Sequence, residues 1–199
     1  MKNFNRENLL FSLCGLNCGL CPMNLNNYCP GCGGGEGNQS CAIARCSIQH
    51  GSVRYGNMQH GNMQHGNIQY CFECENYPCE KYSGIDEYDS FITHQHRKRD
   101  MEKFETLGST LYTAEQQRKV AILLHLLQNY NDGRKKTLFC IAVNLLELAD
   151  LEDVIDKLDK NASGLSLKDK SARAANLLQE LAAEKSIRLK LHKKKKGEL

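Results

Sequence analysis

The chain has 199 residues, 25% of them charged and 41% hydrophobic, with 26 Lys and Arg against 23 Asp and Glu for a formal net charge of +3. A balance this close to neutral lacks the strong basic bias of a nucleic-acid-binding domain, so nucleic acid is not an expected partner. No stretch approaches the eighteen apolar residues of a membrane helix, and the N-terminus lacks a basic region, long apolar run and small-residue cleavage site, so no membrane partner and a cytoplasmic location are expected.

Residues 1–84 are the first predicted unit. They hold ten of the eleven cysteines, all three prolines and twelve of the sixteen glycines. A segment so poor in aliphatic side chains cannot build a large apolar core, and domains of about 80 residues or fewer commonly rely on disulfides or metals. A cytoplasmic chain keeps its thiols reduced, so these cysteines read as metal ligands or redox groups. The unit is expected to be unfolded without metal, because a structural zinc supplies roughly 10 kcal/mol or more of apparent folding free energy.

Cys18 with Cys21, Cys29 with Cys32, and Cys71 with Cys74 are three pairs with a two-residue gap. That gap aims two sulfurs from one tight turn at a single ion. The middle pair reads CPGCGGG and resembles a zinc knuckle, with Pro30 stiffening the turn and the glycines permitting left-handed backbone. Cys14 lies four residues before Cys18, Cys41 five before Cys46, and Cys79 five after Cys74, so each can complete a neighbouring cluster. Zinc takes four ligands, so eight of the ten cysteines make two sites and two are left over. The spare pair can be a redox couple, part of a third site completed by a histidine such as His50, or core thiols.

An iron–sulfur cluster is the alternative cofactor. The spacing of Cys14, Cys18 and Cys21 matches the gap of radical enzymes that cleave S-adenosylmethionine. The downstream sequence is nevertheless helical and too short for their barrel, and the ferredoxin run is absent. A redox Cys-x-x-Cys belongs at a helix N-terminus in a strand-rich fold, a context not read here.

Residues 56–70 repeat a five-residue unit, GNMQH, GNMQH, GNIQY. A period of five fits neither helix nor strand, so a loop is expected, and the text on either side reads as though the fifteen residues were an in-frame expansion. Lengthening the Cys46 to Cys71 connection in this way costs only about 1 kcal/mol of loop-closure entropy. Binding of a soft metal by Met58, His60, Met63 and His65 is the functional alternative.

Residues 85–199 form the helical unit. A helix is expected over 89–107, ending before Gly108, with His94, His96, Arg97, Lys98 and Arg99 on wet faces. Thr113 and Gln116 read as a capping box for a helix over 114–130 that buries Val120, Leu123, Leu124 and Leu127, and Asn131, Asp132 and Gly133 stop it. The run 134–148 is apolar nearly all round, which predicts a helix at the bundle centre with Cys140 as a core thiol. Leu151, Val154, Ile155 and Leu158 define the next helix. Ser166 with Asp169 opens another that buries Ala174, Leu177, Leu178 and Leu181. Ile187, Leu189 and Leu191 then alternate with Arg188, Lys190 and His192, the spacing of one short terminal strand paired with the cysteine region. Lys193 to Lys196 form a positive, solvated tail.

No phosphate-binding GxxxxGK[ST] loop, HExxH helix or GxSxG elbow is present, and no catalytic constellation is read. His125 is expected to be a partly buried structural histidine, and NYNDGRKK at 129–136 a helix stop with a charged first turn.

The order CGLNCGLCP, CPGC, CAIARC, CFECENYPC resembles the cysteine-rich bacterial and archaeal proteins catalogued as domain of unknown function 3795. The resemblance runs from Cys14 to about Lys81, and NYNDGRKK with FCIAVNLLEL looks like the C-terminal extension of some members. It implies metal binding by the ten cysteines as a set, supplies no reaction, and does not extend to the 56–70 repeat. The expected molecule is mainly α, a small irregular metal-stapled module packed on a helical bundle. It binds zinc as two ions and serves an unidentified protein partner in binding or regulation.

Overall fold

The computed structural model describes residues 4–36, 41–49 and 68–194. Six α-helices follow in order: α1 (Pro22–Leu25), α2 (Ala42–Gln49), α3 (Arg97–Asn129), α4 (Lys136–Leu145), α5 (Leu148–Lys160) and α6 (Leu167–Glu184). Single 3-10 turns at Cys18–Leu20, Cys71–Glu73 and Glu80–Tyr82 punctuate the cysteine region. The mainly α class is as expected. None of the helices among the described residues is long and apolar enough to cross a membrane.

The bundle is built around α4, where Phe139 through Leu145 are all buried. The all-round apolar pattern requires this, since no face of the helix can be given to water. Leu123 and Leu126 from α3, Leu151, Val154 and Leu158 from α5, and Ala174, Leu178 and Ala182 from α6 close over it. The Ser166 hydroxyl accepts from Asp169 N at 3.2 Å, so the predicted start of α6 is realised. Asn131 Oδ1 accepts from Gly133 N and Lys135 N, at 3.2 and 3.1 Å, and closes the stop after α3. One residue of the cysteine region, Leu20, is buried in this same core at 1% exposure.

Gly108 interrupts α3 with φ 79° and ψ 163°, a conformation open only to glycine. The two limbs fold toward each other: Lys103 Nζ meets Glu115 Oε1 at 2.7 Å, and the Phe104 and Tyr112 ring centroids are 5.2 Å apart. In a straight helix residues twelve apart would be separated by about 18 Å. Because the second limb resumes directly after Gly108, the predicted capping box does not form. Thr113 Oγ1 accepts instead from Asn8 Nδ2 at 3.1 Å, and Gln116 is buried. Leu123 is buried as expected, but Leu126 takes the inward place expected for Leu124, which is 51% exposed.

A second core gathers the rings of Phe11, Tyr70 and Phe72 with Phe104 and Tyr112 from both limbs of α3. Phe11 and Phe104 stack at 5.2 Å, and Tyr70 and Phe104 approach to 4.2 Å. The cysteine region is thus poor in aliphatic side chains but not in aromatic ones, and its rings pack on the helix.

Three local expectations are corrected. The first helix begins at Arg97, not 89, because Asp89 Oδ1 accepts from His94 N at 2.6 Å and folds that stretch into a turn. His94 and Arg97 are buried rather than wet: the His94 ring meets Ile85 O and Ser90 Oγ, and Arg97 Nε lies 3.0 Å from Asp86 Oδ1. The terminal strand is not formed among the described residues. Residues 187–194 have no regular secondary structure, with a bend at Lys190; Asp89 N donates to His192 O and His192 N donates to the Asp89 carboxylate, both at 2.7 Å, so a side chain takes the place of a ladder partner. Ile187 and Leu189 pack on the helical core.

Candidate metal centre

The CGLNCGLCP segment turns through Gly15, whose φ of 94° and close approach to Arg97 O leave no room for a Cβ, which would sit 2.8 Å from that oxygen. Ser12 Oγ accepts from Leu16 N at 2.7 Å and lies 3.3 Å from Cys14 Sγ. The 3-10 turn at Cys18–Leu20 is closed by Cys21 N donating to Cys18 O at 3.0 Å. Cys21 then heads α1 as its N-cap residue, with Pro22 at the first helical position. The α1 turn returns the chain to Cys29: Cys29 N donates to Met23 O at 3.1 Å, and Asn24 Nδ2 to Cys29 O at 3.0 Å.

The CPGC turn needs Gly31 at φ 87°, where a Cβ would meet Leu9 O at 2.9 Å. It is closed by Gly34 N donating to Gly31 O at 3.3 Å. Leu13 O in turn accepts from Cys71 N at 2.9 Å, tying the first and last cysteine motifs together. Cys41 stands at the head of α2, its sulfur 3.4 Å from Ala44 N, and Cys46 lies within that helix. Cys74 N donates to Cys71 O at 3.1 Å, and Tyr82 N to Cys79 O at 2.9 Å. The Tyr82 hydroxyl donates to Cys14 O at 3.4 Å.

All eleven cysteines are free thiols. Beyond burial, the charge of neighbouring thiols also raises several of them: Cys32, Cys14 and Cys21 act on Cys18, Cys29 on Cys21, Cys14 and Cys41 on Cys32, and Cys14, Cys79 and Cys46 on Cys71. Among the described residues, no three Cys, His, Asp or Glu side chains are placed as they stand to hold one ion. His50, Lys195, Lys196 and residues 56–67 of the repeat lie outside the described residues. The end of the third repeat is inside them, and Ile68 and Tyr70 are buried in the aromatic core.

Burial pushes the Cys71 thiol up to about 12, with the nearby Tyr82 hydroxyl opposing and the neighbouring thiols adding to it. Burial likewise raises Cys18, where the Cys32 N–H opposes, and Cys32, where the Arg6 guanidinium opposes. Ionised together these groups would repel each other, and Arg6 supplies a counter-charge at Cys32. The donor type fits zinc: soft sulfurs, one of which, Cys41, is approached by the backbone N–H of Ala44 at 3.4 Å.

Cys140 is a core thiol, 5% exposed, raised to about 12 by burial, and it faces Cys21 across the α1 and α4 contact. His125 is partly exposed and holds Asp159 Oδ1 at 3.0 Å through Nε2, while the Tyr130 hydroxyl donates to the same oxygen at 2.5 Å.

Several supporting residues have no signature in the sequence. Arg6 is 7% exposed and donates to Phe11 O at 2.8 Å, Gln69 O at 2.9 Å and Cys32 O at 3.3 Å, so one guanidinium joins three separate segments of the region. Asn17, beside Cys18, is 2% exposed and bonds two residues of α3, Asp100 and Tyr112. Only the presence of a lone Arg ahead of the cysteines, and of an Asn inside CGLNC, was visible beforehand. Comparison with protein-family models, with curated proteins and with solved structures finds no match for this chain.

Proposed function

We propose that this chain is a zinc-binding protein whose cysteine region is held in shape by metal and docked on the helical bundle, serving binding or regulation of a protein partner. The observation that carries the reading is the gathering of ten free cysteines from four separate stretches of sequence into one region, tied by Cys71 N donating to Leu13 O at 2.9 Å and by Arg6 donating to Cys32 O at 3.3 Å, with Ala44 N 3.4 Å from the Cys41 sulfur. N–H donors at sulfur stabilise a thiolate, and buried thiolates need a cation. The resemblance to the cysteine-rich family supports the same ten residues as a set.

The test is purification without oxygen, followed by a visible spectrum and a count of zinc and iron per chain. A colourless protein carrying zinc is expected. A brown protein with iron and acid-labile sulfide overturns the zinc reading in favour of a redox protein.

A further inference from the structure

Residues 187–194 lie against residues 85–95, held by contacts to backbone as much as to side chains. Asp89 grips one residue by both its backbone groups: Asp89 N donates to His192 O, and Asp89 Oδ2 accepts from His192 N, both at 2.7 Å. Gln95 Nε2 donates to Arg188 O at 3.2 Å. Two aromatic rings add a side-chain preference. The His192 ring stacks on Tyr88 at 5.1 Å with its Nδ1 2.7 Å from Glu87 O, and Lys193 Nζ, which donates to Ser90 O, stands 5.7 Å over the Phe91 ring. Ile187, Leu189 and Leu191 are half-buried, whereas Arg188, Lys190, His192, Lys193 and Lys194 are exposed. Backbone bonds for attachment and alternate side chains for selection are how a protein edge takes up an extended peptide.

The receiving loop does not need this segment for its shape. Asp89 Oδ1 accepts from His94 N at 2.6 Å, the His94 ring lies 3.2 Å from Ile85 O and 3.0 Å from Ser90 Oγ, and Ile92, Thr93 and His94 are buried. A loop fixed by its own bonds stays preorganised when its occupant leaves. The occupant, by contrast, has no regular secondary structure, and Phe91 remains 63% exposed with the segment in place.

Resting on the protein partner of the proposed function and not on its metal, we infer that residues 85–95 dock an extended segment of that partner in which apolar and basic side chains alternate. The chain's own residues 187–194 occupy the site as an internal competitor. Charge fits this occupant: the site presents the Glu87 and Asp89 carboxylates, and the segment brings Arg188, Lys190, Lys193 and Lys194. A tethered competitor acts at an effective concentration of about 1 mM, so the site opens to a partner only when the segment is released or outcompeted.

The probe is a fluorescent peptide with the sequence of residues 187–194, IRLKLHKK, titrated by anisotropy into the full-length protein. His192→Pro removes the N–H that Asp89 holds and frees the segment. That variant should bind the peptide at least about tenfold more tightly than wild type, because the tethered competitor is gone. Adding Tyr88→Ala and Phe91→Ala, which strip both rings from the site, should abolish the gain. Equal affinity for wild type and His192→Pro, or tight binding that survives loss of both rings, overturns the inference and leaves the zinc reading intact. Amide exchange on the wild-type chain provides a second readout. Saturating peptide should open the His192 amide to exchange while the Asp89 amide stays protected, and protection retained at both makes the segment a fixed part of the fold and overturns the inference. A wild-type dimer that the peptide dissociates assigns the site to a second copy and overturns the partner as its occupant.

Discussion

Asn17 donates through Nδ2 to Asp100 Oδ2 at 2.8 Å, across 83 positions of sequence. Its Oδ1 accepts from the Tyr112 hydroxyl at 2.9 Å, so one amide beside Cys18 is held by both limbs of the broken helix α3. The Cys14 to Cys18 turn is thereby set by the helical half of the molecule rather than by its own backbone alone. Asn17→Ala leaves a buried carboxylate and a buried phenol without their partner and should cost about 2 kcal/mol. Tyr112→Phe, which removes only the hydroxyl, should cost about 1 kcal/mol. Urea denaturation of the zinc-loaded protein measures both, and equal losses would place the Tyr112 contribution in the carboxylate contact as well.

Burial raises the Asp100 carboxyl to about 7, with Lys119, Arg99 and Asn17 opposing the shift. A carboxyl whose folded pKa lies above its unfolded value favours the folded state while protonated. Its contribution is complete below the unfolded value near 4 and is lost as pH rises through about 7. Wild type should therefore lose stability relative to Asp100→Asn between pH 5 and 7, by up to about 1.4 kcal/mol per pH unit, and the difference should level off above about pH 8. A difference that stays flat across that window would show that Asp100 is ionised throughout.

Leu20 carries the packing between the cysteine region and the bundle, buried at 1% against α3 and α4. Leu20→Ala should cost about 2–5 kcal/mol by thermal or chemical unfolding, because the cavity lies among helices that cannot collapse onto it. Leu124→Ala, on the same helix system but 51% exposed, should cost well under about 1 kcal/mol.

Deletion of residues 56–70 should leave the metal count unchanged and shift stability by only about 1 kcal/mol. Ile68 and Tyr70 are buried in the aromatic core, but the deletion brings Val53 and Tyr55 into their places ahead of Cys71. Loss of zinc from the deletion variant would assign the repeat a part in the site.

The helical half was largely legible because its signals are local. The apolar run of α4 has no wet face to offer, the Ser166 and Asp169 cap sits within four residues, and Asn131 to Gly133 form a stop by their own side chains. What was missed depends on partners far away in sequence. Arg97 sits in a basic run that reads as solvated, yet Asp86 and the close approach of Gly15 bury it. The alternating 187–191 pattern predicts a strand, but the segment has no regular secondary structure and meets a carboxylate, Asp89, where a strand would need a ladder. In the candidate site the ten cysteines were visible as residues. How their turns come together was not, because spacing says which sulfurs share a turn and not which turns meet, as Cys71 N meets Leu13 O.

The measurement that tests the central claim most directly is amide hydrogen exchange on the full-length protein, before and after zinc is removed by a chelator under reducing conditions. The account predicts that removal abolishes protection at amides such as Gly19, Cys21 and Cys71, which bond Leu10 O, Cys18 O and Leu13 O, while the centre of α4 stays protected. Unchanged protection at Gly19 and Cys71 in the metal-free protein would contradict it.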